Sequence, residues 1–79
     1  MEIDIVIAAD LVGEDGDAEI VQWLVDDGGQ VSEGDVVAEI ETAKLLMEIT
    51  APAAGRLTRL TAAGEVVPAN THIARITDG

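Results

Sequence analysis

The chain has 79 residues, which suits one small domain with its own core and leaves no room for a second domain or a large cleft. It contains no cysteine, so disulfides, thiolate nucleophiles and cysteine-ligated zinc sites are excluded. The formal net charge is -12 and only four residues are Lys or Arg, which argues against nucleic acid as a partner. No apolar run approaches membrane-spanning length and the N-terminal stretch does not resemble a signal peptide. We therefore expect a cytoplasmic protein with no membrane partner.

The apolar residues follow the pattern of short strands, and no segment shows sustained helical periodicity. Ile3, Ile5 and Ile7 alternate along the first segment, so we expect a strand that turns its isoleucines inward. Residues 9–18, which include Glu14 and several Asp and Gly residues, are predicted as a surface loop. Later strands are predicted, in chain order, at 20–25, briefly around Val31, and at 36–40, 45–50, 56–61 and 72–77. Together these segments predict an all-β fold.

A repeat of 36 residues underlies this order. Seven positions match without a gap: Val21 with Leu57, Leu24 with Leu60, Gly28 with Gly64, Val31 with Val67, Val37 with Ile73, Ala38 with Ala74, and Ile40 with Ile76. The same shift aligns Asn70 with Gly34, and both residue types suit a turn that needs a left-handed backbone. Neither half can bury its apolar face alone, so we expect two strand sets packed face to face as a sandwich.

Lys44 is the only lysine of the chain and lies between two strand-like stretches. If Ala43 and Lys44 form the centre of a tight turn, Glu41 faces Leu46 across a hairpin. This register separates an apolar inward face from a largely acidic outward face. The inward set is Ala38, Ile40, Met47 and Ile49, and the outward set is Glu39, Glu41, Leu46 and Glu48. Lys44 then projects from the exposed tip, where an enzyme can reach its amine.

Residues 40–49, followed by Ala51, Pro52 and Gly55, resemble the lysine-bearing hairpin of lipoyl domains, the swinging-arm carriers of 2-oxo acid dehydrogenase complexes. Similar positions upstream and downstream extend the resemblance over almost the whole chain. It implies that residues 1–79 form a single carrier domain. The implied fold is a flattened barrel, or sandwich, of two four-stranded antiparallel sheets related by a pseudo-twofold axis.

The resemblance also implies a function. Lipoate would be the cofactor, held in amide linkage on Lys44, and the domain would have no catalytic residue of its own. The implied partners are the lipoate-attaching ligase or transferase and the decarboxylase, acyltransferase and dihydrolipoamide dehydrogenase components of a complex. The residues that would be recognised around the lysine are Glu41, Thr42, Ala43, Leu45 and Leu46.

Two alternatives remain open. Biotin carriers share the fold in the family picture, but their pattern places Met on both sides of the lysine. This chain has Ala43 and Leu45 there, which favours lipoate over biotin. Ala43 also stands where the lipoyl pattern has Asp, and Leu45 where it has a small residue. These departures keep open a function of a different class, an unmodified binding or scaffold module of the same fold.

Two other side chains are weaker candidates. His72 is a lone histidine in a predicted strand with no second ligand at suitable spacing, so we expect a structural or surface residue and no metal site. Trp23 lies in an alternating strand, and we expect it to be partly buried packing rather than a ligand platform.

Overall fold

The computed structural model describes residues 1–13 and 15–78, which leaves Glu14 of the predicted loop and Gly79 of the predicted domain outside the described residues. Within these ranges the chain forms eight strands and one helical turn. In chain order they are β1 (Glu2–Val6), α1 (Ala9–Val12), β2 (Asp17–Trp23), β3 (Gln30–Val31), β4 (Val36–Glu41), β5 (Leu46–Thr50), β6 (Gly55–Arg59), β7 (Val66–Pro68) and β8 (His72–Thr77).

The strands form two four-stranded antiparallel sheets, which confirms the all-β sandwich. We name them sheet A, in the order β1-β8-β6-β3, and sheet B, in the order β5-β4-β2-β7. Three strand pairs correspond under the repeat, β2 with β6, β3 with β7, and β4 with β8, and β8 begins and ends 36 residues after β4. The remaining strands, β1 and β5, take equivalent edge positions beside β8 and β4. The repeat therefore describes a pseudo-twofold relation between the sheets.

An aliphatic core lies between the two sheets. Its largest fully buried side chains come from both sheets and from the end of β1: Ile7, Ile20, Ile40, Leu57, Ile73, Ile76, Val31 and Val37. Each such side chain contributes about 1.5–3 kcal/mol when it leaves water. Gly55 permits the close approach of β6 to β8, because a Cβ atom there would lie 2.3 Å from the carbonyl oxygen of Thr77.

The first predicted strand is confirmed, with Ile5 and Ile7 buried and Ile3 half-buried. The loop predicted at 9–18 is partly wrong, because α1 forms a helical turn there and β2 already begins at Asp17. The turn ends when the N–H of Gly13 donates to the carbonyl of Ala9 at 2.6 Å. Four residues are too few to show helical periodicity, so the apolar pattern alone could not indicate this element.

Some strand bounds also differ from the prediction. The strand predicted at 20–25 ends at Trp23, the one at 45–50 begins at Leu46, and the one at 56–61 spans Gly55–Arg59. The strand β7 was not predicted as a separate element, although the repeat aligned Val67 with Val31. Its three residues, Val66, Val67 and Pro68, contain a single buried side chain, that of Val67, and the Val-Val-Pro sequence does not alternate between apolar and polar residues.

Candidate functional site

The hairpin of β4 and β5 carries Lys44 at its tip, in the register expected from the sequence. Glu41 is paired with Leu46, and the backbone N–H of Thr42 donates to the carbonyl of Leu45 at 2.9 Å. The remaining pairs, Ile40 with Met47, Glu39 with Glu48, and Ala38 with Ile49, also agree with the prediction. Ala43 and Lys44 are therefore the two central residues of the turn, and both are exposed.

The side chain of Thr42 organises this turn. Its hydroxyl accepts hydrogen bonds from the backbone N–H groups of Lys44 and Leu45, at 3.2 and 3.3 Å, and donates to the carbonyl of Leu45 at 3.3 Å. Neither Ala43 nor Lys44 has a positive φ, so the turn is not of the primed type that two-residue hairpins favour. The hydroxyl replaces the backbone partner that the Leu45 N–H would otherwise find across the turn.

The outward face of the hairpin is acidic with exposed leucines. Leu46 is 56% exposed and Leu45 is 51% exposed, which is unusual for two adjacent large apolar side chains. Glu41 and Glu48 are also exposed, whereas Glu39 is half-buried and accepts a hydrogen bond from the side-chain amide of Gln22. The predicted inward face is confirmed, since three of its residues are buried and Met47 packs against the core.

The acidic surface continues across sheet B. Glu19 on β2 pairs with Glu41 on one side and with Val66 on the other. One row across the sheet therefore reads Leu46, Glu41, Glu19, Val66, with an exposed apolar residue at each edge. The four strands of sheet B contain no Lys or Arg, so Lys44 stands beside a face of uniformly negative charge.

A groove of about 330 Å³ lies beside Lys44. α1 and Gly13 form one wall, and residues 42–44 form the other. Leu11 is 40% exposed in this wall, while Val12 packs against the core. The sequence pattern predicted a solvated loop for this segment, so this wall of the groove was not predicted. The signal that could have found it is Asp10 in a first turn followed by Gly13 at a helix end.

The other two candidate residues are His72, which begins β8 in sheet A, and Trp23, which ends β2 in sheet B. His72 is exposed, and its Nδ1 lies 2.6 Å from Oδ2 of Asp4. The other carboxylate oxygen, Oδ1, accepts a hydrogen bond from Nε of Arg75 at 2.8 Å. These contacts hold the pKa of Asp4 down at about 2, mainly through Arg75 and then through His72. The expectation of a surface histidine is confirmed, and the part of the chain that the structure describes contains no cluster of metal-ligating side chains.

Trp23 is half-buried against the core, as expected. Its Nε1–H donates to the carbonyl of Thr61 at 3.1 Å, and the Arg59 guanidinium lies over its ring at 5.5 Å from the centroid. Arg59 also donates to the carbonyl of Val25, which ties β6 to the end of β2. Trp23 is therefore fixed by internal contacts.

In residues 1–13 and 15–78, no helix is long and apolar enough to cross a membrane.

Comparison with known proteins identifies the family. The family model described as "Biotin-requiring enzyme" matches residues 6–76. The chain is 43% identical over 53 residues to the dihydrolipoyllysine-residue acetyltransferase component of the pyruvate dehydrogenase complex of Rhizobium meliloti (strain 1021), covering 67% of this chain and 11% of that protein. It is 51% identical over 55 residues to the pyruvate dehydrogenase E1 component subunit beta of the same organism, covering 67% of this chain and 12% of that protein.

A third relative matches nearly the full length of the chain. This is the dihydrolipoyllysine-residue succinyltransferase component of the 2-oxoglutarate dehydrogenase complex of Buchnera aphidicola subsp. Schizaphis graminum (strain Sg). The chain is 32% identical to it over 74 residues, which cover 92% of this chain and 19% of that protein. The chain thus spans between 11% and 19% of the length of these relatives.

Among solved structures, a single-chain, multi-domain long-chain acyl-CoA carboxylase matches with a TM-score of 0.75. The identity is 20%, and the match covers 99% of this chain and 7% of the carboxylase, so it supports the fold alone. Together with the match over residues 6–76, the relatives lead to one conclusion. The chain belongs to the biotin/lipoyl attachment family, whose domains are non-catalytic carriers of a covalently attached cofactor, lipoate or biotin.

Proposed function

We propose that this domain carries lipoate in amide linkage on Lys44 and shuttles acyl groups and electrons between the components of a 2-oxo acid dehydrogenase-like complex. The observation that carries the proposal is the position of the only lysine at the exposed tip of the β4–β5 hairpin, in a register fixed by a buried inward face. An amine held there is accessible to enzymes larger than the domain itself.

The chain supplies an acceptor and its presentation, while chemistry at the amine comes from the attaching enzyme. A lysine side chain is protonated at neutral pH, and only the neutral amine attacks an activated carboxyl group. Among residues 1–13 and 15–78, no carboxylate lies within 4 Å of the Lys44 amine, so we expect the ligase or transferase to remove the proton. Lys44 would hold lipoate through its amine, and the disulfide of that group would supply the capacity to carry an acyl group and two electrons between enzymes.

Two observations support lipoate over biotin. Lys44 is flanked by Ala43 and Leu45 rather than by methionines. In addition, two of the relatives are named as dihydrolipoyllysine-residue transferases of pyruvate and 2-oxoglutarate dehydrogenase complexes. The proposed partners are accordingly a lipoate-attaching ligase or transferase and the decarboxylase, acyltransferase and dihydrolipoamide dehydrogenase components of such a complex. Residues 1–79 would act as one carrier domain, and the proposed location is the cytoplasm.

We propose that these partners recognise the outward face of the hairpin together with the turn. Glu41 offers a carboxylate to basic residues, and Leu46 offers an exposed apolar side chain to a small pocket. Thr42, Ala43 and Leu45 fix and flank the lysine. The uniformly acidic sheet B would steer a basic partner toward this end of the domain and raise the association rate. The contribution of the domain is then recognition and a high effective concentration of the arm.

Intact mass spectrometry of the chain from a host with active lipoylation tests the proposal. We expect one lipoyl group per chain, and we expect Lys44→Arg to remove all of it, because no other lysine exists. The variant keeps an exposed positive charge in the turn, so its melting temperature should match that of the parent chain. Lipoyl mass retained in Lys44→Arg would refute the assignment of the site.

Biotin is the second candidate, favoured by the description of the family model that matches residues 6–76. The same expression experiment separates the two cofactors, since biotin and lipoate add different masses and only biotin binds streptavidin. Efficient biotinylation with no lipoylation would reverse our choice. A chain that acquires neither group in hosts with both ligases would instead support the unmodified scaffold module that Ala43 left open.

A further inference from the structure

The groove beside Lys44 adjoins the attachment site, and the proposed function gives it no role. Its volume of about 330 Å³ is at the lower end of the range for small-molecule sites. Lys44 is one of the residues that line the groove, so a group attached to its side chain lies within reach of it. The occupant to consider first is therefore the arm of the domain itself.

The walls of the groove are mainly apolar. Leu11, Val12 and Ala43 contribute hydrocarbon surface, and Asp10 contributes a carboxylate. Leu11 keeps 40% of its surface exposed although Val12, the next residue, packs against the core. A single exposed leucine is ordinary on a protein surface. This one differs because it faces an open groove that ends at a lysine.

The groove is held by backbone hydrogen bonds on both sides. The N–H of Leu11 donates to the carbonyl of Ala8 at 3.0 Å, and the N–H of Gly13 donates to the carbonyl of Ala9 at 2.6 Å. The backbone two residues before α1 is fixed as well, because the N–H of Ile7 donates to the carbonyl of Thr71 and the carbonyl of Ile7 accepts from the N–H of Asn70. On the opposite wall, the Thr42 hydroxyl fixes the turn. A ligand would therefore enter a largely formed site.

We propose that this groove is a resting site for the lipoyl arm on Lys44, so that the arm alternates between a docked and an extended state. The inference rests on the proposed function, since it needs lipoate at that position. Amide formation is what makes docking favourable. The charged amine of free lysine prefers water, whereas the attached arm is an uncharged methylene chain with an apolar ring. The docked state shields the disulfide until a partner enzyme draws the arm out.

Reduction of the disulfide by a water-soluble phosphine measures the docked fraction directly. Phosphine reduces the disulfide to a dithiol and is itself oxidised, and it reaches only the extended arm. Three fully lipoylated proteins are compared, with loading verified by intact mass: the parent chain, Leu11→Ser and Leu45→Ser. Leu45 is the matched control because it neighbours Lys44 and is 51% exposed but does not line the groove.

We expect Leu11→Ser to be reduced about three to ten times faster than the parent chain, because losing one apolar wall shifts a docked equilibrium by up to about a factor of ten. Leu45→Ser should be reduced at the parent rate. Methyl NMR gives a second measurement, in which lipoylation should shift the Leu11 and Val12 methyl signals and leave those of Leu60 unchanged. Should Leu11→Ser lower the melting temperature, Ala43→Asp replaces it, because this change adds a charge to the groove from an exposed turn.

Three results would overturn the inference. Equal reduction rates in all three loaded proteins would mean that the arm does not dock, and the proposed function would stand. Equal acceleration by Leu45→Ser would place the shielding outside the groove. A parent chain that gains no lipoyl mass on Lys44 would refute the proposed function, and this inference with it.

Discussion

Thr42 is the residue on which the presentation of Lys44 depends most directly. The resemblance to lipoyl domains placed it among the recognised residues, and its hydroxyl faces the turn, where it contacts the backbone of Lys44 and Leu45. Such local contacts between a side chain and the backbone are the reason why threonine favours turns. The role was hidden in the sequence because the alternation of the strands says nothing about which turn type joins them.

Thr42→Val tests this role, because valine keeps the β-branched shape and lacks the hydroxyl. We expect the free energy of unfolding to fall by about 0.5–1.5 kcal/mol, the usual net contribution of hydrogen bonds of this kind. The initial rate of lipoylation should fall as well, since the turn loses its fixed geometry. Thr42→Ser is the matched control and should behave like the parent chain in urea unfolding and in the modification assay. A valine variant that equals the parent in both measurements would contradict the role.

The side-chain contacts of Asp4 could not be predicted from the sequence. It pairs with Arg75 across β1 and β8, and these strands come from opposite ends of the chain. No local pattern predicts a contact of that separation. The result is an ion pair in which Oδ1 of Asp4 lies 2.8 Å from Nε of Arg75, with His72 on the other carboxylate oxygen.

This cluster predicts a specific dependence of stability on pH. The pKa of Asp4 is lowered from 3.8 in the reference state to about 2 in the folded protein. A lowered pKa means that the stabilisation is present above pH 3.8 and is lost as pH falls toward 2. We expect Asp4→Asn to have a lower melting temperature than the parent chain at pH 7. When melting temperature is plotted against pH, the curves of the two proteins should converge near pH 2. Curves that stay parallel across this range would show that the carboxylate does not titrate with folding.

At the scale of elements, the hairpin was predictable because one of its faces had to be buried. A shift of one residue would have exposed Ile40 and Ile49, so the apolar pattern fixed the register. The short elements lacked this constraint. α1 has four residues and β7 has three, and neither contains enough buried positions to define a period. The groove wall that α1 forms therefore lies in a part of the chain where the apolar pattern is too short to predict structure.

The two faces of β5 give a paired prediction. Leu46 is exposed on the outward face, so Leu46→Ser should leave the melting temperature unchanged and slow lipoylation or acyl loading. Ile49 is buried on the inward face of the same strand, and Ile49→Ser should cost about 2–5 kcal/mol through the lost apolar contact and the buried hydroxyl. Thermal unfolding and the initial rate of modification separate the two effects. An unfolded Leu46→Ser protein would mean that Leu46 is a core residue and that the recognition face is misassigned.

At the scale of the whole molecule, the pseudo-twofold relation extends to individual hydrogen bonds. The N–H of Leu24 donates to Val37 at 2.8 Å, and the N–H of Leu60 donates to Ile73 at 2.9 Å, which is the same bond 36 residues later. Charge breaks this symmetry. All three arginines lie on β6 and β8 of sheet A, whereas the strands of sheet B carry acids alone. The two sheets thus share the same backbone arrangement, and only sheet B, which carries the Lys44 hairpin, presents a uniformly acidic face.

The turns before β4 and β8 show how far the repeat reaches into the backbone. Gly34 has a φ of 90° and Asn70, its counterpart, has a φ of 70°, so both adopt the left-handed conformation expected from their alignment. Their backbone bonds also correspond. The N–H of Gly34 donates to Ala51 at 2.8 Å, and the N–H of Asn70 donates to Ile7 at 2.6 Å. The two positions should therefore respond to substitution in the same way.

We expect residues that tolerate a positive φ to be interchangeable at these two turns. Asn70→Gly and Gly34→Asn should change the free energy of unfolding by less than about 1 kcal/mol, because asparagine and glycine both enter this region readily. Asn70→Ala and Gly34→Ala should each cost about 1–2 kcal/mol, since alanine pays the full steric penalty of a left-handed backbone. A Cβ atom at Gly34 meets nothing within 4 Å, so crowding does not confuse the comparison. Urea unfolding of the four variants measures these costs. An alanine variant that is as stable as its Gly or Asn counterpart, at either position, would contradict the prediction. It would show that the turn can relax to a negative φ and that the pseudo-twofold symmetry does not constrain the backbone there.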